Sequence, residues 1–385
     1  MSKNNLIQLY DSSAKVKQIG DSLQLHGQKI HLNGLIGSSL SFVVQSLFKK
    51  SEFPFLVVLN DKEEAAYYLN DLEQMVGEED VLFYPGSYRR PYQIEDTDNA
   101  NVLLRAEVLN RINSRKKPAV VVTYPEALFE KVVTKKELDK NTLKVAVGDQ
   151  ISIEFINEVL FEYEFKRVDF ITEPGEFSVR GGIIDVFSFS NDNPYRIEFF
   201  GNEVDSIRSF DVETQLSIEK QKKIAIIPNV ENKFFQENRE SFLDYIHQNT
   251  IVFIQNTELL ISKLEKLFDK ADDIFKNLNA TIKHVPPEKI FLHQKEFLKK
   301  ALDFTVVELS SKPTFNIAKA FDFHIQPQPS FNKQFDLLLN NLNDNHFNGY
   351  KNYLFCSSGA QEKRFHDIFE SLDEANHESI RKQYH

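Results

Sequence analysis

The chain reads as an α/β protein whose parallel sheet is interrupted by a small, mainly antiparallel β insertion of α+β character. Two observations carry this reading. Short apolar runs, such as residues 53–59 and 119–123, alternate with stretches of helical period, which is the pattern of a parallel layer with both faces covered. That rhythm stops between about residues 134 and 218, where segments shorten and charges interleave with Phe and Tyr. The centre of this stretch is EPGEFSVRGGIIDVFSFSNDNPYRIEFFGNEVDSIRSFDVETQLS, residues 173–217. At 385 residues the chain also exceeds the size at which one core keeps growing, so several domains are expected.

In order, HLNGLIGSSLSFVVQSLFKK from residue 31 places Leu40, Val43, Val44, Leu47 and Phe48 at helical spacing. Ser38 or Ser39 can cap the start, and Lys49 and Lys50 suit the negative end of the helix dipole. FPFLVVLN then suits a strand buried on both faces, and Asn60 or Asp61 can cap a helix carrying Ala65, Ala66, Leu69 and Leu72. A strand at 81–84, the polar loop PGSYRRPYQIEDTD, a helix over about 99–113 and the strand AVVVT follow. The α/β rhythm is expected to resume at Ile224 with IAIIP, then a helix over about 237–247, the strand IVFIQ and a helix from near Thr257. The sequence thus divides into residues 1–133 and 219–310 as two halves of one α/β domain, with 134–218 inserted between them. Residues 311–385, with three prolines near their start, are expected to be a linker and the beginning of a further α/β unit. Its strand YLFC and the helix bearing Phe365, Ile368 and Phe369 are too little to bury a core, so a longer protein is expected.

Composition narrows the function. A net charge of -11 opposes holding nucleic acid by bulk electrostatics. Cys356 is the sole cysteine, which excludes an internal disulfide and a Cys-rich metal site and fits a reducing cytoplasm. The N-terminal residues lack the apolar run of a signal peptide, and the ten histidines form no metal-ligand spacing.

Gly34, Gly37, Ser38, Ser39, Leu40 and Ser41 stand where a phosphate-binding loop would stand, ahead of a helix N-terminus. Ser39 replaces the last glycine and Leu40 replaces the lysine, so only the magnesium-binding hydroxyl position, Ser41, survives. The loop reads as degenerate, and no hydrophobic run ending in Asp-Glu supplies a carboxylate pair beside magnesium. Tyr88, Arg89, Arg90 and Tyr92 pair cations with rings that suit nucleic acid, but Glu95, Asp96 and Asp98 follow at once.

In the inserted stretch, alternation puts Tyr195, Ile197 and Phe199 on one strand face and Arg196, Glu198 and Phe200 on the other. Gly201-Asn202 and the NDNP at 191–194 supply turns for a meander. Either Phe200 is an exposed ring beside an arginine, as in interaction hot spots, or a helix around Phe155, Ile156 and Val159 covers it.

Residues 174–185, 194–201 and 205–211 of this stretch resemble the domain shared by the UvrB/Mfd family of nucleotide-excision-repair proteins. The resemblance covers roughly residues 1–310 and is specific in its motifs. The degenerate loop at Ser39 and Leu40, and the short segment between Tyr84 and the helix near Asn99, resemble the Mfd branch. UvrB has an intact loop and a long aromatic hairpin. The resemblance implies a RecA-like, P-loop-like α/β domain carrying an inserted UvrA-binding module, with Arg180, Arg196 and Phe200 as contacts. It also implies a larger protein that recognises stalled RNA polymerase, translocates on double-stranded DNA with ATP and Mg in a downstream motor, and masks the UvrA-binding face at rest. No cofactor is expected in this segment. The alternative is a UvrB-like subunit that binds ATP or DNA directly through residues 34–41 and the Arg89-Arg90 loop.

Overall fold

The computed structural model describes residues 3–87, 99–114, 117–189, 191, 193–228, 238–278, 285–356 and 358–376. The chain separates into two units, Met1–Ile325 and Gln326–His385. Four strands precede the insertion: β1 (Lys29–Asn33), β2 (Phe55–Val58), β3 (Val81–Phe83) and β4 (Val120–Thr123). Ten more, β5 (Val132–Val133) to β14 (Arg239–Glu240), occupy the middle of the chain, and β15 (Ile251–Ile254), β16 (Thr305–Glu308) and β17 (Lys319–Asp322) close it. The flanking strands form one parallel seven-stranded sheet in the order β17-β1-β16-β15-β2-β4-β3. Every residue of β2, β4, β15 and β16 is buried, as the apolar runs of β2 and β15 require. Each such Val, Ile, Leu or Phe contributes about 1.5–3 kcal/mol of transfer free energy.

The caps follow the sequence. Asp61 accepts from the Glu64 N–H ahead of helix Lys62–Val76, and Asn256 accepts from the Leu259 N–H ahead of helix Thr257–Asn277. Where the chain enters the loop after β3, the guanidinium of Arg105 is fully buried and donates to the carbonyls of Pro85 and Ala127 at 2.8 and 3.1 Å. It pairs with Glu130, whose carboxylate also accepts from the Ser87 N–H and hydroxyl. This buried network fixes residues 85–87 on the sheet. Among the described residues no helix is long and apolar enough to cross a membrane.

The insertion is closed by a clasp in which β6 (Leu143–Ala146) pairs antiparallel with β13 (Lys223–Ile226). Between them lies a six-stranded sheet in the order β12-β11-β10-β9-β8-β7. Its strands are β7 (Lys166–Arg167), β8 (Glu176–Arg180), β9 (Ile183–Val186), β10 (Tyr195–Phe200), β11 (Glu203–Phe210) and β12 (Ser217–Gln221), antiparallel except for β7 on β8. One face carries Phe177, Ile184, Val186, Ile197, Val204 and Ile207, which form a core with Ile156 and Leu160 of helix Ile153–Glu162.

Three expectations change within the first unit. IAIIP does not resume the parallel layer, because Ile224 and Ile226 belong to the clasp and to the core of the insertion. A continuous apolar run looks alike in either setting. The helix expected over 237–247 is a single turn, Phe242–Tyr245, behind the capping box of Ser241 and Asp244. The expected linker from 311 is instead tied to the sheet. Glu308, fully buried, accepts from the Thr257 hydroxyl at 2.5 Å and from the N–H groups of Thr314 and Phe315, and β17 then pairs with β1.

The second unit holds helices Phe335–Phe347 and Gly359–Asn376, with Phe335 and Phe365 in edge-to-face contact at 6.0 Å. The run YLFC, expected as a strand, joins no ladder.

Replacing Arg105 by Ala leaves Glu130 buried without its cation and should destabilise the first unit by about 3–5 kcal/mol. Urea denaturation checks this, and a loss under about 1 kcal/mol, the scale of an exposed pair, would show the network to be dispensable.

Candidate partner-binding face of the inserted sheet

Strand β10 obeys the alternation read from its sequence. Ile197 is fully buried with Tyr195 and Phe199 packed beside it, whereas Phe200 is 85% exposed at the other side of the strand. Helix Ile153–Glu162 lies against the inner core through Ile156 and Leu160 and leaves Phe200 uncovered. Gly201, at φ +63°, and Asn202 make a two-residue turn into β11, and Gly181, at φ +59°, does the same with Gly182 between β8 and β9.

Register assembles the outer face. Asp185 stands opposite Ser178 on one side and Arg196 on the other, Arg196 stands opposite Arg208, and Arg208 stands opposite Lys220. Cations set side by side repel unless countered. Asp185, 1% exposed, meets this need: it accepts from Arg196 Nε at 2.7 Å and Nη2 at 2.9 Å, and from Arg180 Nη2 at 2.6 Å. Arg196 also donates to Gln215 and lies 4.4 Å over the Phe210 ring, while Arg180 lies 5.2 Å over Phe170. Glu198 serves Arg208 at 2.6 Å and the Ser206 hydroxyl at 2.5 Å. The Ser206 hydrogen bond, with the Arg208 charge, holds the Glu198 carboxyl below its ordinary value despite desolvation.

Arg180, Arg196 and Phe200 therefore share one face. Arg196 differs from the expectation of an arginine offered to a partner, because its Nε edge is occupied by Asp185 and its side chain is only 16% exposed. Arg180, at 45%, is the more open of the two. Asp185, Phe170 and Gln215 were not singled out from sequence. Asp185 has a signal in hindsight, as a lone carboxylate in the apolar run GGIIDVF.

The residues of the loop before helix Ser39–Phe48 have other occupations. Gly34 and Gly37 take φ +79° and +58°, and a β-carbon at Gly34 would collide with the Phe323 carbonyl oxygen. Ser38 makes no side-chain cap, while the Ser39 hydroxyl bonds both backbone groups of Ile36. Leu40 is buried in the core, and the Ser41 hydroxyl donates to Asp71 at 3.0 Å. Lys15 donates to the Asp322 carbonyl beside this loop. Tyr88, Arg89, Arg90 and Tyr92 lie outside the described residues.

Because the folded Glu198 carboxyl titrates below its unfolded value, its contribution to stability is complete above the ordinary glutamate range of about 4.3 and fades as pH falls through the lowered folded value. Melting curves between pH 7 and 3 should show wild type more stable than Glu198→Gln at neutral pH, with the gap closing toward the acid end. A gap that widens there would reverse the assignment. Asp185→Ala, which leaves two guanidinium groups without their carboxylate, should cost about 3 kcal/mol by denaturant unfolding.

Comparison with known proteins bears on this face. The UvrB interaction domain family matches residues 143–232, which begin at β6 and end just beyond β13. Among similar proteins, the transcription-repair-coupling factor of Bacillus subtilis (strain 168) is 33% identical over 198 residues, 51% of this chain and 17% of that protein. Those of Myxococcus xanthus and Rickettsia bellii are each 29% identical, over 228 and 209 residues, which are 58% and 54% of this chain. The chain spans less than a fifth of the length of these relatives, at 17%, 19% and 18% respectively. The chain is thus similar to the transcription-repair-coupling factors, and its clasped, inserted β-domain is the part that matches the UvrB interaction domain.

Proposed function

We propose that the inserted sheet docks this chain onto UvrA and so recruits nucleotide-excision repair to RNA polymerase stalled at a DNA lesion. The observation that carries the proposal is Phe200, a large ring left 85% exposed at the end of a strand whose same face presents an arginine pair fixed by Asp185. Aromatic and arginine side chains held in place before binding lose little entropy on association, which is why they dominate interface energies. The match of this domain, and not of the α/β layer, to the UvrB interaction domain supports the same assignment. In the longer protein the motor that uses ATP and Mg, the contact with double-stranded DNA and the polymerase contact fall to other segments. The exposed Phe200 face would be masked there by an intramolecular contact until the motor engages.

The α/β domain in this reading is a scaffold without nucleotide chemistry. Leu40 brings no charge to a phosphate, the Ser41 hydroxyl is engaged by Asp71, and Phe323 crowds Gly34. These three features support a loop that has lost ATP and magnesium binding.

Calorimetric titration of UvrA into the chain should give a complex that Phe200→Ala weakens by about 2 kcal/mol or more, with the melting temperature unchanged because the ring packs on little. Arg180→Ala should weaken it less, and ATP titrated into the chain alone should give no binding heat. A folded Phe200→Ala variant that binds UvrA like wild type would refute the docking assignment, and saturable ATP binding lost in Ser41→Ala would refute the scaffold assignment.

A further inference from the structure

The parallel sheet has an opening at the end opposite residues 34–41. Strands β15, β2 and β4 lie side by side and start at Ile251, Phe55 and Val120. The segments that lead into them, with the last turn of helix Asn99–Ser114 and the chain after Tyr245, surround a cavity of about 350 Å³. Protein interiors hold few voids larger than a water molecule, and ligand pockets run from about 300 Å³ upward, so the cavity has the size of a pocket. Its lining divides by chemistry. Phe53, Pro54, Ile112 and Pro118 are half-buried and supply apolar walls, while the buried Phe55, Leu82 and Val121 close the floor. Polar groups gather on the exposed lining residues at the mouth. Lys117 is exposed and has no ion pair or hydrogen bond among the described residues. His247 is exposed as well, and its Nδ1 accepts from the Asn249 N–H at 3.1 Å. The neutral ring therefore carries its proton on Nε2, a donor that meets no protein acceptor among the described residues. Arg111 is committed elsewhere: it pairs with Glu107 at 2.5 Å and sits in the last turn of its helix, where a cation answers the negative end of the dipole. Glu52, exposed, is the sole carboxylate among the lining residues. In a chain of net charge -11, this mouth is a local reversal of sign.

We infer that the pocket binds a small amphipathic anion, a monocarboxylate with an acyl or aryl body. The body lies on Phe53, Ile112 and Pro118, and the carboxylate stays at the mouth, where Lys117 supplies charge and His247 Nε2 a hydrogen bond. A neutral molecule of the same shape gains the apolar contact but leaves Lys117 unanswered, and a cation is repelled by it. A ligand with several charges does not fit, because its inner charged groups would meet apolar walls in place of water. An enclosed pocket of this size admits a small molecule but presents no broad face to a protein, so docking stays with the inserted sheet. The inference is independent of that docking, since the pocket uses none of Arg180, Arg196 and Phe200.

The test is calorimetric titration of the whole chain with octanoate, hexanoate, octanol and octylammonium. Octanoate should bind saturably, and hexanoate about tenfold more weakly, because each methylene removed from water contributes about threefold to fourfold. Octanol and octylammonium should both bind more weakly than octanoate. Lys117→Glu, at an exposed position, should keep the melting temperature, leave octanol unchanged and weaken octanoate at least about fivefold, with a loss that shrinks in high salt. Ile112→Trp should fill the pocket and remove the binding of octanoate and octanol alike, whereas Phe200→Ala should bind octanoate like wild type. No saturable octanoate binding, or octanoate held no tighter than octanol and equally by Lys117→Glu, overturns the inference. A folded Ile112→Trp that binds octanoate like wild type also overturns it. Should that variant fail to fold, the ratio of octanoate to hexanoate affinity and the Lys117→Glu titration decide.

Discussion

The carboxylate of Asp185 is the interaction on which the outer face depends. Cross-strand register brings Arg196, Arg208 and Lys220 into one row, an arrangement that repels itself across three strands. With Asp185 and Glu198 in place, two of those cations become hydrogen-bonded parts of the sheet, and Arg180 is drawn to the same point. A buried ion pair of this kind adds little net stability, since desolvation of both partners opposes the attraction. Its consequence here is geometric: Arg180 and Arg196, which would otherwise sample many rotamers, are fixed on the face that also carries the exposed Phe200.

The division of labour between the two sheets follows from the same physics. The seven-stranded layer is buried along the whole of its strands β2, β4, β15 and β16, and is held by buried ionic groups such as Arg105 with Glu130 and the multiply bonded Glu308. Such a layer offers a partner little. The inserted sheet has one covered face and one open face, and its clasp of β6 with β13 lets it form its own core while both chain ends return to the parallel layer. Function is therefore expected on the smaller domain.

How much of this was legible in the sequence depended on the range of the interaction. Alternation along β10 is local, so the sides taken by Ile197 and Phe200 could be read directly, and the loss of a lysine at Leu40 needed no structure. The partner of Arg196 could not be read, because Asp185 lies eleven positions away on a neighbouring strand whose register is not visible in local alternation. The same limit explains Ile224 and Ile226, whose apolar run fits a buried parallel strand or a two-stranded clasp equally well. Residues 319–322, following a proline-bearing polar stretch, gave no sign of the edge strand that they form on β1. The proposed partner came from neither alternation nor spacing but from resemblance of the motifs at 174–185 and 194–201, a stretch that the UvrB interaction domain match over 143–232 includes.

Hydrogen–deuterium exchange on the chain, measured alone and with UvrA in excess, locates the docking face. UvrA should slow exchange in the amides of 167–183 and 196–206, around Arg180 and the Phe200 turn, and leave 34–41 and the clasp at 223–226 unchanged. Protection confined to the parallel layer, or none at all while a complex is present, would contradict the docking assignment.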